Sequence, residues 1–171
     1  MSSEEKNPID MYFDMKEGRV KLAQKEDSGA VSLLNGYLAT TRMMVLVFQH
    51  SHWKCKGSHF YGNHLMFERV YKDARKLVDL IAEKLIGIYG NDALMHDKQV
   101  AMMSELFNQF NGEEHFDNAI GAAELFLQLS EDTYNRLKEM DSLTLGMDDM
   151  IMSNASKVEE FLYLMRQAKS E

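Results

Sequence analysis

The sequence predicts an all-α protein, a four-helix bundle with a short connecting helix in the long crossover between its second and third long helices. Three observations predict this class. Apolar residues recur at three- and four-residue steps over four long stretches. The one proline in 171 residues, Pro8, precedes all of them, so the helices can run unbroken. No period-two alternation bounded by turn residues occurs, so a sheet has no candidate strands.

Taken in order, residues 1–27 are polar and mixed in charge, with one small apolar patch at Met11, Tyr12 and Phe13, and read as an N-terminal arm. Residues 28–171 form the bundle domain. Ser28 is the expected N-cap of a first long helix carrying Val31, Leu34, Leu38, Thr41, Val45, Phe48 and His52, which Gly57 stops. The second runs from about Phe60 to Tyr89, its apolar surface supplied by Phe60, Leu65, Phe67, Val70, Leu77, Leu80, Ile81, Leu85 and Ile88, and Gly90-Asn91-Asp92 ends it. A shorter amphipathic segment from Asp97 to Phe110 is the connecting helix. The third and fourth long helices cover about His115 to Met140 and Met147 to Ala168.

Composition narrows the function classes. With 45% hydrophobic and 27% charged residues the chain has ordinary globular content. The formal charge of −8 disfavours adhesion to a phosphate backbone, and the first thirty residues supply no basic tail. A single cysteine, Cys55, fits a reducing compartment. No basic, apolar leader opens the chain and no uncharged apolar run reaches the ~18 residues of a membrane span, so the expected location is the cytoplasm, with no membrane contact.

The chemistry concentrates between His52 and Glu83. On a helix, His64, Glu68, Asp79 and Glu83 fall at roughly 0°, 40°, 60° and 100°, one narrow stripe. The rise of about 1.5 Å per residue nevertheless separates Glu68 from Asp79 by roughly 16 Å and His64 from Glu83 by roughly 28 Å, so one metal ion cannot use both pairs. The stripe therefore predicts two half-sites, each closed by a partner surface. The simplest partner is the same helix of a second subunit packed antiparallel about a twofold axis, so that His64 and Glu68 of one chain face Asp79 and Glu83 of the other. Carboxylate oxygens with imidazole suit iron or manganese. The single-chain di-iron pattern, Glu three residues before His, is absent at His50, His52, His59, His64, His96 and His115. Asp79 and Glu83 also sit in sequence among Leu77, Val78, Leu80, Ile81, Ala82 and Leu85, where a buried, unpaired carboxylate would be costly, so a cation is expected beside them.

The run of His52, Trp53, Gly57, Phe60, His64, Glu68, Asp79 and Glu83 closely resembles the signature of the Dps family, the miniferritins of the ferritin-like superfamily. The segment from Asp148 to Arg166 is similar to that family's last helix. The resemblance covers about Val31 to Arg166. It implies a ferritin-like four-helix subunit in a hollow homo-oligomeric shell, a dodecamer built from twofold dimers. It implies a di-iron or mono-iron ferroxidase centre, with Zn or Mn as substitutes. His52, His64 and Glu68 of one subunit would bind the metal with Asp79 and Glu83 of its twofold neighbour, and these five are the candidate catalytic residues. Asp149 matches an acidic position of a threefold pore, with helix capping the competing explanation for it and for Asp148. Trp53 resembles the aromatic beside the centre. The family commonly has aspartate where Glu68 stands, so metal spacing and the second metal position are where this chain departs from the pattern.

The implied activity is oxidation of Fe(II), preferably by hydrogen peroxide, with ferric oxide stored in the shell as protection against oxidative stress. Direct DNA binding, common in the family, is not expected for want of a basic tail. Two other classes stay open: a non-catalytic helical shell with an inefficient metal site, and a DNA-compacting protein. His50 and His59 flank the site in sequence, Cys55 is expected to be packed rather than reactive, and the fourteen methionines to fill core.

Overall fold

The computed structural model describes residues 28–169; the arm expected over residues 1–27 lies outside them. The described chain is all-helical: α1 (Ser28–Lys54), α2 (Phe60–Tyr89), a 3-10 turn (Asn91–Ala93), α3 (His96–Phe107), a second 3-10 turn (Asn108–Phe110), α4 (His115–Glu139) and α5 (Leu145–Lys169). The four long helices form the bundle and α3 is the connecting helix. α1 packs on α2, α3 and α4, and α5 packs on α4 and α2, so α1 and α5 lie across a diagonal.

The periodic apolar residues form one core. Leu34, Leu38, Met43, Met44 and Phe48 of α1 meet Phe67, Val70, Ile81 and Leu85 of α2, Phe126 and Leu137 of α4, and Val158, Phe161 and Met165 of α5. Rings tie opposite walls together: Tyr37 stacks on Phe126 at 5.2 Å between centroids, and Phe48 meets Phe161 edge-on at 6.1 Å. Buried hydroxyls on α1 are satisfied within their own helix, Thr40 donating to the Gly36 carbonyl and Thr41 to that of Tyr37. Gly29–Lys54 is long and apolar enough to cross a membrane by composition, which the charge at Arg42 obscured in the sequence. Its apolar side is the wall of the core, and Arg42 hydrogen-bonds Gln99 of α3.

Glycine ends the first two helices. Gly57 (φ 88°) turns the chain between α1 and α2, and Gly90 (φ 90°) closes α2, its N–H donating to the Ile86 carbonyl. The last helix begins two residues before the expected Met147, because Thr144 caps it: its hydroxyl accepts from the Met147 N–H at 3.1 Å and its carbonyl from the Asp148 N–H at 2.9 Å. The crossover is anchored by Asn35, 4% exposed. Its amide donates to the carbonyls of Val31 and Ala93, both at 2.8 Å. Its oxygen accepts from the Met95 N–H at 2.9 Å and the Gln99 amide at 2.6 Å.

Candidate metal centre

Two helix ends build the site. The short link around Gly57 reverses the chain, so the last turns of α1 and the first turns of α2 lie side by side and bring His52 against His64. Their rings stack at 3.7 Å between centroids, 25° from parallel. Each ring is also held by the other's backbone: His52 Nδ1 lies 2.9 Å from the His64 carbonyl oxygen and His64 Nδ1 lies 3.0 Å from that of His52. A carbonyl only accepts, so each Nδ1 carries the hydrogen and donates it. The neutral imidazoles are thereby fixed in the tautomer whose Nε2 lone pair is left over, the way metal-binding histidines are oriented by their surroundings. Phe60 stacks on the His64 ring at 5.0 Å and Tyr71 meets the His52 ring at 5.3 Å, so two further rings hold the pair. His52 is 9% exposed.

Glu68, one turn beyond His64, adds the carboxylate. Its Oε1 accepts from Lys72 Nζ at 2.5 Å, and this partner holds its carboxyl below the usual range. Imidazole nitrogens and a hard carboxylate oxygen are donor types that suit iron. Among the described residues of this one chain, no group of three or more His, Cys, Asp or Glu side chains is arranged to hold a metal ion.

The other predicted ligands lie on the same helix and do not join this cluster. Asp79 and Glu83 are exposed, and among the described residues neither makes a hydrogen bond or ion pair. Within the single chain they are open to solvent, so the cost of burying an unpaired carboxylate, from which a nearby cation was expected, does not arise inside it. α2 buries Phe67, Val70, Ala74, Leu77, Ile81 and Leu85, and the two carboxylates project from the other side. Leu65, Phe60 and Leu80, expected on the apolar surface of this helix, are likewise 42%, 44% and 40% exposed. Tyr61 is exposed too, at roughly 60° on the wheel and so within the stripe of candidate ligands. Exposed apolar side chains among ligand-type carboxylates have the character of an interaction surface. Asp79 also borders a cleft of about 420 Å³ with Arg42, Gln49, Arg75 and Met103.

Around the site, Trp53 is 61% exposed and packs on His50, which in turn meets Phe107 of α3. Burial lowers the His50 pKa and raises that of Cys55, whose thiol is buried and donates to the Ser51 carbonyl; the packed reading of Cys55 stands. Asp149 is exposed just after the first turn of α5. Thr144 supplies the cap, Asp148 lies in the first turn, where a negative charge suits the helix N-terminus, and its Oδ1 is buried with no hydrogen-bond partner among the described residues. Sequence reasoning missed two residues here. Lys72 was signalled by its place four residues after Glu68. His115, whose Nε2 is buried without a partner against Phe67 and Phe116, carried no signal beyond its place at a helix start.

Comparison with known proteins agrees with this architecture. No protein-family model matches the chain. The DNA protection during starvation protein of Mycolicibacterium smegmatis is 23% identical over 147 residues, covering 85% of this chain and 79% of that protein. General stress protein 20U of Bacillus subtilis is 24% identical over 147 residues, covering 80% and 94%. Among solved structures, Dps from Thermosynechococcus elongatus superposes with a TM-score of 0.71 at 16% identity, covering 84% of this chain and 92% of that one. Dps from Vibrio cholerae, described as a member of a broad superfamily of ferritin-like diiron-carboxylate proteins, gives 0.69 at 16% identity, covering 84% and 91%.

Proposed function

We propose that this chain, a relative of the Dps proteins with their ferritin-like helical bundle, is a ferroxidase that stores iron. In this reading it oxidises Fe(II), preferably with hydrogen peroxide, and keeps the ferric product inside a closed homo-oligomeric shell, a dodecamer of twofold dimers. The observation that carries the proposal is the reciprocal His52–His64 pair, which leaves two Nε2 lone pairs one turn from Glu68 on a helix face that also bears Asp79 and Glu83.

Each residue has a role in the scheme. His52 and His64 supply neutral nitrogen donors whose tautomers are fixed before the metal arrives, so little reorganisation accompanies binding. Glu68 supplies negative charge, and Asp79 and Glu83 of the partner subunit complete the donor set, which is why one chain holds only half of it. Hard carboxylate oxygens favour the ferric product over Fe(II). Two Fe(II) ions each give one electron to one hydrogen peroxide, whose O–O bond breaks to yield two waters after two protons are taken up; no hydroxyl radical is released. Asp149, exposed on α5, is proposed to line an entry pore for iron. Zn or Mn would occupy the same donors. Protection of DNA is then indirect, through removal of iron and peroxide, since the charge of −8 opposes phosphate binding.

The test is Fe(II) oxidation with stoichiometric peroxide, comparing wild type with His52→Ala and Asp79→Ala. Both variants are expected to lose most of the fast phase. Equal rates in all three would refute the ferroxidase reading and leave a non-catalytic helical shell.

A further inference from the structure

We infer that Lys72 is a resident counter-cation of Glu68, a positioning residue that occupies the carboxylate until Fe(II) displaces it. The inference rests on the ferroxidase reading and assigns it a step the ligands alone do not contain. The observation is the ion pair itself: Lys72 Nζ lies 2.5 Å from Glu68 Oε1, with side chains 58% and 34% exposed. The pair is built into the helix, glutamate first and lysine four residues later, the better of the two orientations. Lys72 and Arg75 fall at roughly 80° and 20° on the wheel, inside the stripe of candidate ligands. Along that stripe the order is therefore His64, Glu68, Lys72, Arg75, Asp79, Glu83, with two cations between two groups of ligands.

The chemistry is competitive. An ammonium has three N–H donors and no lone pair, so Lys72 can neutralise Glu68 but cannot ligate a metal. A divalent cation bound by Glu68 repels the ammonium, so the two occupancies exclude one another at Oε1. In the metal-free subunit Lys72 keeps the carboxylate charge-balanced on a face that also carries apolar residues. In the loaded site the Lys72 side chain, long and largely exposed, moves to solvent. The glutamate is suited to this exchange, since its carboxylate meets the fourth residue ahead of it along the helix. Lys72 thus sets how much free metal is needed to fill the site.

The experiment titrates Zn(II), a redox-inert divalent ion, calorimetrically into the full-length metal-free protein and its Lys72→Met, Lys72→Arg and His64→Ala variants. Lys72→Met is expected to bind Zn(II) about two- to threefold more tightly than wild type, the worth of an exposed pair of this spacing on a helix. Lys72→Arg, which keeps the cation, is expected to match wild type, and His64→Ala to bind at least tenfold more weakly. Unchanged Zn(II) affinity in Lys72→Met, with His64→Ala still weakened, overturns the role of Lys72 and leaves the site standing. Unchanged affinity in His64→Ala overturns the site, and the role of Lys72 with it.

Discussion

Asn35 is the single residue whose loss should be felt across the whole crossover. It is 4% exposed, and its side chain serves Val31, Ala93, Met95 and Gln99 at distances of 2.6 to 2.9 Å. In Asn35→Ala the Val31 carbonyl keeps its place in the helix ladder. The Ala93 carbonyl, the Met95 N–H and the Gln99 amide each lose the partner observed here. A buried polar group left unpaired costs about 1–3 kcal/mol. Water entering the vacated volume brings each toward the low end, for a sum of about 3 kcal/mol. For a domain of this size that corresponds to a fall in Tm of about 6–12 °C. Thermal unfolding should be followed at one fixed protein concentration, since assembly makes Tm concentration-dependent. Hydrogen exchange locates the effect: the Met95 amide and α3 should lose protection while the core of α4 and α5 keeps it. A Tm loss below 2 °C, or protection lost evenly over all helices, would refute the assignment of Asn35 as the anchor of the crossover.

Two further predictions concern the helix junctions. Asp141 has φ 53° at the end of α4, where its N–H donates to Lys138 and the Ser142 N–H donates to Leu137, the pattern that ordinarily carries glycine at this position. Asp141→Gly should stabilise the protein by up to about 1 kcal/mol in urea unfolding, and destabilisation would show that the aspartate side chain contributes more than its backbone strain costs. Burial lowers the pKa of His115 below its ordinary 6.5, so the unfolded chain takes up its proton at higher pH than the folded one. Stability from this group is therefore present above about pH 6.5 and is lost as pH falls toward its folded pKa. His115→Leu, which also removes the unpartnered Nε2, should flatten the decline in Tm between pH 7.5 and 5.5; a decline as steep as wild type would assign it to other groups.

The helices were legible because each carries its own signals. The period of apolar residues, Gly57 and Gly90 and the lone early proline put α2 at its observed bounds, Phe60–Tyr89. The start of α5 was misread by two residues because the apolar pattern begins at Met147, whereas the first turn is set by the hydroxyl of Thr144. Burial on α2 was misread for a related reason: Phe60, Leu65 and Leu80 are as apolar as the core, and composition does not say which side of a helix faces its own chain.

By itself the sequence determined the helical class, the order of elements and the fact that His64, Glu68, Asp79 and Glu83 share one stripe, since all of these follow from the period of a single helix. Only the tertiary structure decided that His52 and His64 lock one another through their backbone carbonyls, that Lys72 holds Glu68, and that Asp79 and Glu83 project away from the chain that bears them. The first depends on how two helix ends meet across Gly57 and the second on a rotamer choice. The third depends on which face of α2 the other three long helices leave uncovered, and none of these is a property of a helix alone.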